Sequence, residues 1–413
     1  YAKGKGCKDA LATNVLQWIW WLHNGYQIAL YCSDVSGAFD RVKATKLVEK
    51  LQKKGVTGEI LNVIQSWLGE REAKVVVNGT FSKTAKLNNM VFQGTVWGPP
   101  LWNCFFEDAR APVRKSGFDE TVFADDLNCF KSFGKDVPNP EIMTSLKKCQ
   151  SNLHSWGRAN QVQFDPKKES FHILHREHPC GLNFVNLGVD FDTKLVMDSE
   201  CKSIASVAKW KLRTVMKTRR FHTEIEMFQR FKSHVLPSLE YRTPAIYHAS
   251  ATVLNNVDSV QRMFLKDMNV SPEDALMDKL FNLAPLGMRR DIAMLGVIHR
   301  AVLKKGPKQL HKWFFTVNPR AKPRTRSDNS SSRVRQVFNY VDGTQSEFLR
   351  RSAFGLTAVY NSLPEYIVVL NTVKSFQGAL QCAAKRQIEN GTPNWAFMYN
   401  PSYNYNMSTK GYM

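Results

Sequence analysis

The chain has 413 residues, with 57 basic residues against 36 acidic ones and a formal net charge of +21. Apolar residues make up 43%, enough to build the cores of about two or three domains, which excludes a disordered polypeptide. The longest apolar run, Val15 to Leu22, is broken at Gln17 and too short to span a bilayer, so the cationic excess points to a polyanionic partner, nucleic acid first, and no membrane is expected.

No secretory signal is visible, and the opening residue Tyr1 leads us to expect a longer reading frame or a lost beginning. Cysteines stand at 7, 32, 104, 129, 149, 180, 201 and 382, in no CxxC or zinc-type spacing. Buried, reduced thiols of an intracellular protein are expected, without structural zinc.

In chain order, residues 9–24 read as a helix closed by Gly25, and 26–33 (YQIALYCS) as a β-rich run ending at Asp34. Helical patterns follow at 44–54, stopped by Gly55, and at 59–70. Asn78-Gly79 between strand-like arms signals a hairpin. Pro99 or Pro100 opens another helix. Then ETVFADDLNCFKSF reads as strand, two-carboxylate turn, strand, followed by a long helix over 140–158. ESFHILH predicts one more strand, and NFVNLGVDFDTKLV a further hairpin. From about 199 to about 300 the pattern is helical. Lys304 to Arg335 holds ten basic residues against one acidic, and its second half, rich in Pro, Ser and Arg, reads as a basic linker. A small helical module over 346–390 and a Tyr/Asn-rich tail complete the chain.

Chemistry concentrates at three places. Asp125 and Asp126 adjoin between apolar runs, which suits either a tight turn or a metal-binding pair. Asp34 also ends a strand-like run, and by itself fits a cap or turn equally well. If the strands are sheet neighbours, three carboxylates converge at one edge, and hard oxygen ligands of that kind select magnesium or manganese. Between them, FQGTVWGPPLW offers Gly94 and Gly98 for close backbone approach.

Taken in order, SDVSGAFD, QGTVWGPPLW and FADDLN resemble the palm of a reverse transcriptase, in the version of non-LTR (LINE-type) retrotransposons. FDPKKESFHIL resembles that family's lysine motif, with Lys168 in place, and VNLGVDFD its Leu-Gly primer-contact hairpin, with Leu187 and Gly188. VLPSLEY and VQRMFLK resemble landmarks of its helical region, and RRSAFGLTAVYNSLPEYIVVLNTVKSF its C-terminal module.

The resemblance implies an α+β right-hand polymerase with an antiparallel palm sheet. It divides the chain into a remnant of the fingers (1–25), a palm with finger-side helices (26–198) and a helical thumb-like region (199–303). A basic linker (304–345), the small module (346–390) and a tail (391–413) follow. It implies RNA-directed DNA synthesis with an RNA template, a DNA primer, dNTPs and two Mg²⁺ ions, with Mn²⁺ as a substitute. Asp34 and Asp125 would ligate both ions, the Val35 carbonyl would complete one site, and Asp126 would shape the field beside them. Phe39 falls where the family excludes a ribose 2′-hydroxyl, although a core aromatic fits that position too. Gln93 and Gly94 would line the nascent pair, while Lys168 would protonate pyrophosphate, attract phosphate or simply be solvated.

Lys202, Lys209, Arg213, Lys217 and Arg220 fall at gaps of 7, 4, 4 and 3, one helical stripe opposite Ile204, Ala208, Leu212 and Val215. Such a stripe suits either phosphate contact or a solvated face. YAKGKGCKDAL resembles the end of the family's fingers, so a fragment without upstream fingers or endonuclease is expected, working in the nucleus. FQG stands for the commoner Pro-Gln-Gly, and YNSLP for Trp-Asn. The competing expectations are a non-catalytic remnant that binds nucleic acid and a group II intron or retron-type polymerase.

Overall fold

The computed structural model describes residues 5–87, 89–317, 335–341 and 346–403. The chain forms two compact units, one of Tyr1–Lys3 and Gly25–Phe184, the other of Gly4–Asn24 and Val185–Met413. Helix α1 (Cys7–His23) therefore belongs to the second unit.

The first unit is α+β. Its sheet has the order β6-β7-β1-β8, from β1 (Gln27–Ser33), β6 (Asp119–Phe123), β7 (Asp126–Phe133) and β8 (Ser170–Leu174), and every pairing is antiparallel. Strand β1 is central and all seven of its residues are buried, which explains a run in which only Gln27 and Ser33 are strongly polar. Gln27 is satisfied there by donating to the carbonyls of Gly134, Lys135 and Val137.

The unit's helices are α2 (Ala44–Lys53), α3 (Gly58–Leu68), α4 (Gly98–Phe106), α5 (Arg110–Lys115) and α6 (Asn139–Asn160); α5 and α6 pack on the sheet, and α2 packs on α3 and α4. On α6 the buried residues Ile142, Leu146, Cys149 and Leu153 recur at helical spacing, and they join Leu47, Leu51, Ile64, Leu101, Trp102 and Phe105 in one core. Gly55, at φ +85°, ends α2 as the sequence signalled. Minor strands precede α4 in two small ribbons, β2 (Arg71–Ala73) with β5 (Ala85–Leu87), and β3 (Val76–Val77) with β4 (Thr80–Phe81). Asn78 and Gly79 both adopt positive φ at the tip of the β3–β4 hairpin, as its Asn-Gly signal requires.

Beyond α1, the second unit resumes at Val185, in the hairpin of β9 (Phe184–Asn186) and β10 (Val189–Phe191), and continues with α7 (Asp198–Met216). Helices at Ala251–Met268, Leu286–Val302 and Val373–Glu389 are its longest later elements. Helix α1 is tied into it by an ion pair of Asp9 with Arg300 at 2.6 Å and by Trp20, whose ring meets Trp313, Tyr340 and Phe354. Asp291 is buried here; its carboxyl is pushed up to about 7, chiefly by burial, and accepts from the Tyr247 hydroxyl at 2.6 Å.

Within the segment expected as a linker, Lys308–Trp313 is helical and Thr316 pairs with Val337. Its residues 318–334 and 342–345, with 1–4 of the expected fingers remnant and 404–413 of the tail, lie outside the described residues. The cysteines depart from expectation as well. Cys32, Cys129, Cys149 and Cys201 are buried, but Cys7 and Cys104 are half-buried and Cys180 and Cys382 are exposed. Cys180 follows β8 in an exposed loop, and Cys382 faces outward on its helix, where core packing asks nothing of them. Among the described residues, no helix is long and apolar enough to cross a membrane.

Candidate active site

The sheet register builds the site. Ser33 pairs with Leu127 on β7, and Cys32 with Ser170 on β8. Continuing both registers past the strand ends sets Asp126 on one side of Asp34 and Lys168 on the other, in a single cross-strand row. The side chains follow: Lys168 Nζ donates to Asp34 Oδ2 at 2.6 Å. The Asp126 carboxyl is pushed up to about 6, first by burial and then by the nearby charges of Asp125 and Asp34. The Asp34 carboxylate in turn holds the exposed Lys168 ammonium above the ordinary lysine value.

Asp125 occupies the turn between β6 and β7. Phe123 pairs with Asp126, which leaves Ala124 and Asp125 as a two-residue loop. Ala124 sits at φ +55°, a left-handed conformation that costs a residue with a Cβ about 1–2 kcal/mol. Its carbonyl accepts from Trp102 Nε1 of α4 at 2.9 Å.

The segment after Asp34 is stitched to the loop that carries Lys168. Asp165 N donates to the Asp34 carbonyl at 3.0 Å, Ser36 N donates to the Gln163 carbonyl at 2.9 Å, and Val35 bridges Phe164. Beneath Lys168, Glu169 turns inward. Tyr31 Oη donates to one of its oxygens, His154 Nε2 lies 2.8 Å from the same oxygen, and Gln150 donates to the other at 3.3 Å. Burial, reinforced by Glu169, raises the Tyr31 phenol and keeps it a donor.

These elements enclose an open cleft of about 530 Å³, lined by Asp34, Val35, Gly37, Ala38, Phe39, Gln93, Gly94, Pro99, Asp125 and Lys168. Every expected site residue of the first unit lines it except Asp126, which sits across from Asp34 in the row but not in the lining. Gly94 has φ +82°, and a Cβ on Gly98 would lie 2.9 Å from the Phe92 carbonyl oxygen, so each glycine answers a separate backbone demand. Phe39 is buried with its ring stacked on Trp102, so it is at once a core aromatic and part of the cleft wall.

Leu187 and Gly188 form the β9–β10 turn of the second unit, both at positive φ. Their carbonyls accept from Tyr241 Oη and Arg242 Nε, each at 3.1 Å. The basic stripe is interrupted. Helix α7 ends at Met216, where Thr218 turns its hydroxyl back onto the Val215 carbonyl at 2.7 Å, leaving Lys217 as the cap and Arg220 in a following 3₁₀ turn. Lys202, Arg213, Lys217 and Arg220 are exposed and Lys209 half-exposed, while Ile204, Ala208, Leu212 and Val215 are buried as expected. Lys202 is already paired with Asp198 at 2.6 Å.

The sequence reading missed Trp102, Glu169, Tyr31 and His154. Alternation along β1 and β8 could have placed Tyr31 and Glu169 on one face, since Tyr31 pairs with Phe171. Nothing in the linear pattern links Trp102 to Ala124.

The family model for reverse transcriptase (RNA-dependent DNA polymerase) matches residues 3–221, more than half of the chain, and the protein belongs to that family. Comparison with curated proteins gave no match. Membership implies RNA-directed DNA polymerase chemistry in general, with an RNA template, a primer and dNTPs as substrates and a divalent metal such as Mg²⁺ in use. Among the described residues, no group of three or more His, Cys, Asp or Glu is gathered closely enough to hold a metal ion. The donor chemistry nevertheless fits one: after burial, the carboxylates of Asp125 and Asp34 raise the proton affinity of Asp126, and the charge that lowers it is the Lys168 ammonium.

Proposed function

We propose that this protein is the reverse transcriptase of a LINE-type retroelement, adding deoxynucleotides to a primer 3′-hydroxyl on an RNA template. One observation carries the reading: Asp34, Asp125, Phe39, Gln93, Gly94 and Lys168, scattered in sequence, line one cleft. The Leu187-Gly188 turn and the YNSLP helix, Leu356–Ser362, support the LINE-type assignment through their resemblance to that family.

In this reading Asp34 and Asp125 would hold two Mg²⁺ with help from the Val35 carbonyl, and Asp126 would shape the field beside them. Bound there, the ions supply Lewis acidity toward the primer hydroxyl and charge neutralisation toward the triphosphate. Phe39 closes the wall where a ribose 2′-hydroxyl would sit, and its buried, stacked ring leaves little room to yield. Gln93 and Gly94 lie against the nascent base pair. Lys168 delivers a proton toward the departing pyrophosphate from a site where Asp34 keeps it charged. Residues 26–198 act as palm with finger-side helices and 199–303 as thumb, in which Lys202, Lys209, Arg213, Lys217 and Arg220 meet phosphates. The element would work in the nucleus.

Primer extension tests the proposal, using the full chain, an RNA template, a DNA primer, dNTPs and Mg²⁺. Extension that vanishes in an Asp125→Ala/Asp126→Ala variant supports it. Nucleic-acid binding without extension by the unaltered chain would assign it instead to a remnant that only binds.

A further inference from the structure

We infer that Trp102 is a positioning residue that sets both the sugar-selecting wall and the carboxylate turn of this cleft, an inference that rests on the polymerase reading above. Two independent contacts carry it. The indole ring lies parallel to Phe39, with centroids 5.3 Å apart and planes 26° apart. The indole Nε1–H of the same side chain donates at 2.9 Å to the carbonyl of Ala124, the residue before Asp125.

Each contact answers a local demand. Phe39 follows a turn in which Gly37 adopts φ +60°, and its side chain lines an open cleft. A rigid backing is what turns an aromatic there from a movable side chain into a wall. Trp102 supplies it and is backed in turn by Phe106, stacked at 4.9 Å, which itself meets the Trp156 ring edge to face at 5.6 Å. Ala124 lies in a conformation unfavourable for any residue with a Cβ, so something outside the loop must favour it over relaxed alternatives. A hydrogen bond from a fully buried indole meets that need, because the donor has no water to turn to.

Phenylalanine at 102 would keep the stack and lose the hydrogen bond. Leucine would lose both. The two functions of the side chain are therefore separable.

For Trp102→Phe we expect kcat of primer extension to fall about tenfold, the effect of one lost neutral hydrogen bond, with the KM for dNTP nearly unchanged. Hydrogen exchange should quicken in the peptide spanning residues 122–128. Adding Ala124→Gly, which adopts positive φ without strain, should recover much of the lost kcat. Trp102→Leu should in addition lower the preference for dNTP over rNTP, whereas Trp102→Phe should retain it. The inference is overturned if Trp102→Phe leaves exchange over 122–128 as in the unaltered chain, or if Trp102→Leu retains full sugar discrimination. The exchange measurement needs no catalysis, so failure of the tie to Ala124 is distinguishable from failure of the polymerase reading.

Discussion

Lys168 and Asp34 stand two rungs beyond the last pair of the β1–β8 ladder, with Nζ 2.6 Å from Oδ2. Asp126 lies across the same aspartate on the other side. A cation and a second carboxylate thus compete for Asp34, and the balance between them governs what the cleft can bind. Removing the ammonium should be felt in turnover. Lys168→Met is expected to lower kcat by about 10²-fold if the lysine gives up a proton. A rise in the KM for dNTP with kcat unchanged would show that it only attracts phosphate. Steady-state extension kinetics separate the two outcomes.

The loop bearing Lys168 is pinned from beneath by Glu169. Glu169→Ala strands the buried Tyr31 hydroxyl and takes the same acceptor from the half-buried His154. A stability loss of about 1–3 kcal/mol is expected, read by chemical denaturation. An unchanged midpoint would mean that water replaces the carboxylate.

Asp126 gives a pH dependence with a definite sign. Its carboxyl is raised from 3.8 to about 6, so the metal-free fold favours the protonated form. Any stability this gives is complete below the unfolded value and is lost as pH rises through about 6. Asp126→Asn should therefore stabilise the metal-free protein at pH 8, by on the order of 1 kcal/mol once solvent screening of a partly exposed group is allowed for, and by little at pH 4. Thermal melts at the two pH values check this. In the unaltered chain, Mg²⁺ binding should weaken below about pH 6, where a proton must be displaced.

Phe39→Val should open the wall at the sugar. We expect rNTP incorporation relative to dNTP to rise about tenfold or more, measured as the ratio of kcat/KM values. A ratio unchanged from the parent would leave Phe39 with a packing role only.

The exposed basic residues of the α7 face predict salt-dependent binding. Charge reversal at Arg213 and Lys217 should weaken RNA–DNA duplex binding and lower the slope of log K against log salt by about one for each phosphate that is no longer neutralised. Fluorescence anisotropy across a KCl series would show it. A parallel shift without change of slope would mean that phosphates are met elsewhere on the protein.

Much of this site was legible in the sequence because local rules and strand ends coincide. Asp34 and Asp125 each close a β-rich run, and Asn78-Gly79 and Gly55 do what their backbone freedom allows. What stayed hidden depends on packing between elements distant in sequence. Trp102 reads as one more apolar residue of a helix until the fold brings Ala124 to its indole nitrogen. Glu169 reads as a surface acid until α6 supplies His154 and Gln150. The continuous basic stripe failed at Thr218, whose hydroxyl competes for a helix carbonyl in a way that the spacing of charges does not reveal.

The central place of β1 has a consequence for synthesis of the chain. It is made before both of its partners, which come much later: β7 completes one edge, and the other stays open until Leu174 has emerged. Between the emergence of Ser33 and that of β7, then, a strand with all seven residues destined for burial has no lasting partner. Folding of this unit must be slow compared with its helices, and the nascent protein is most prone to aggregate in the interval before β8 arrives. Ribosome-stalled chains ending before and after Leu174 should differ sharply in their need for a chaperone.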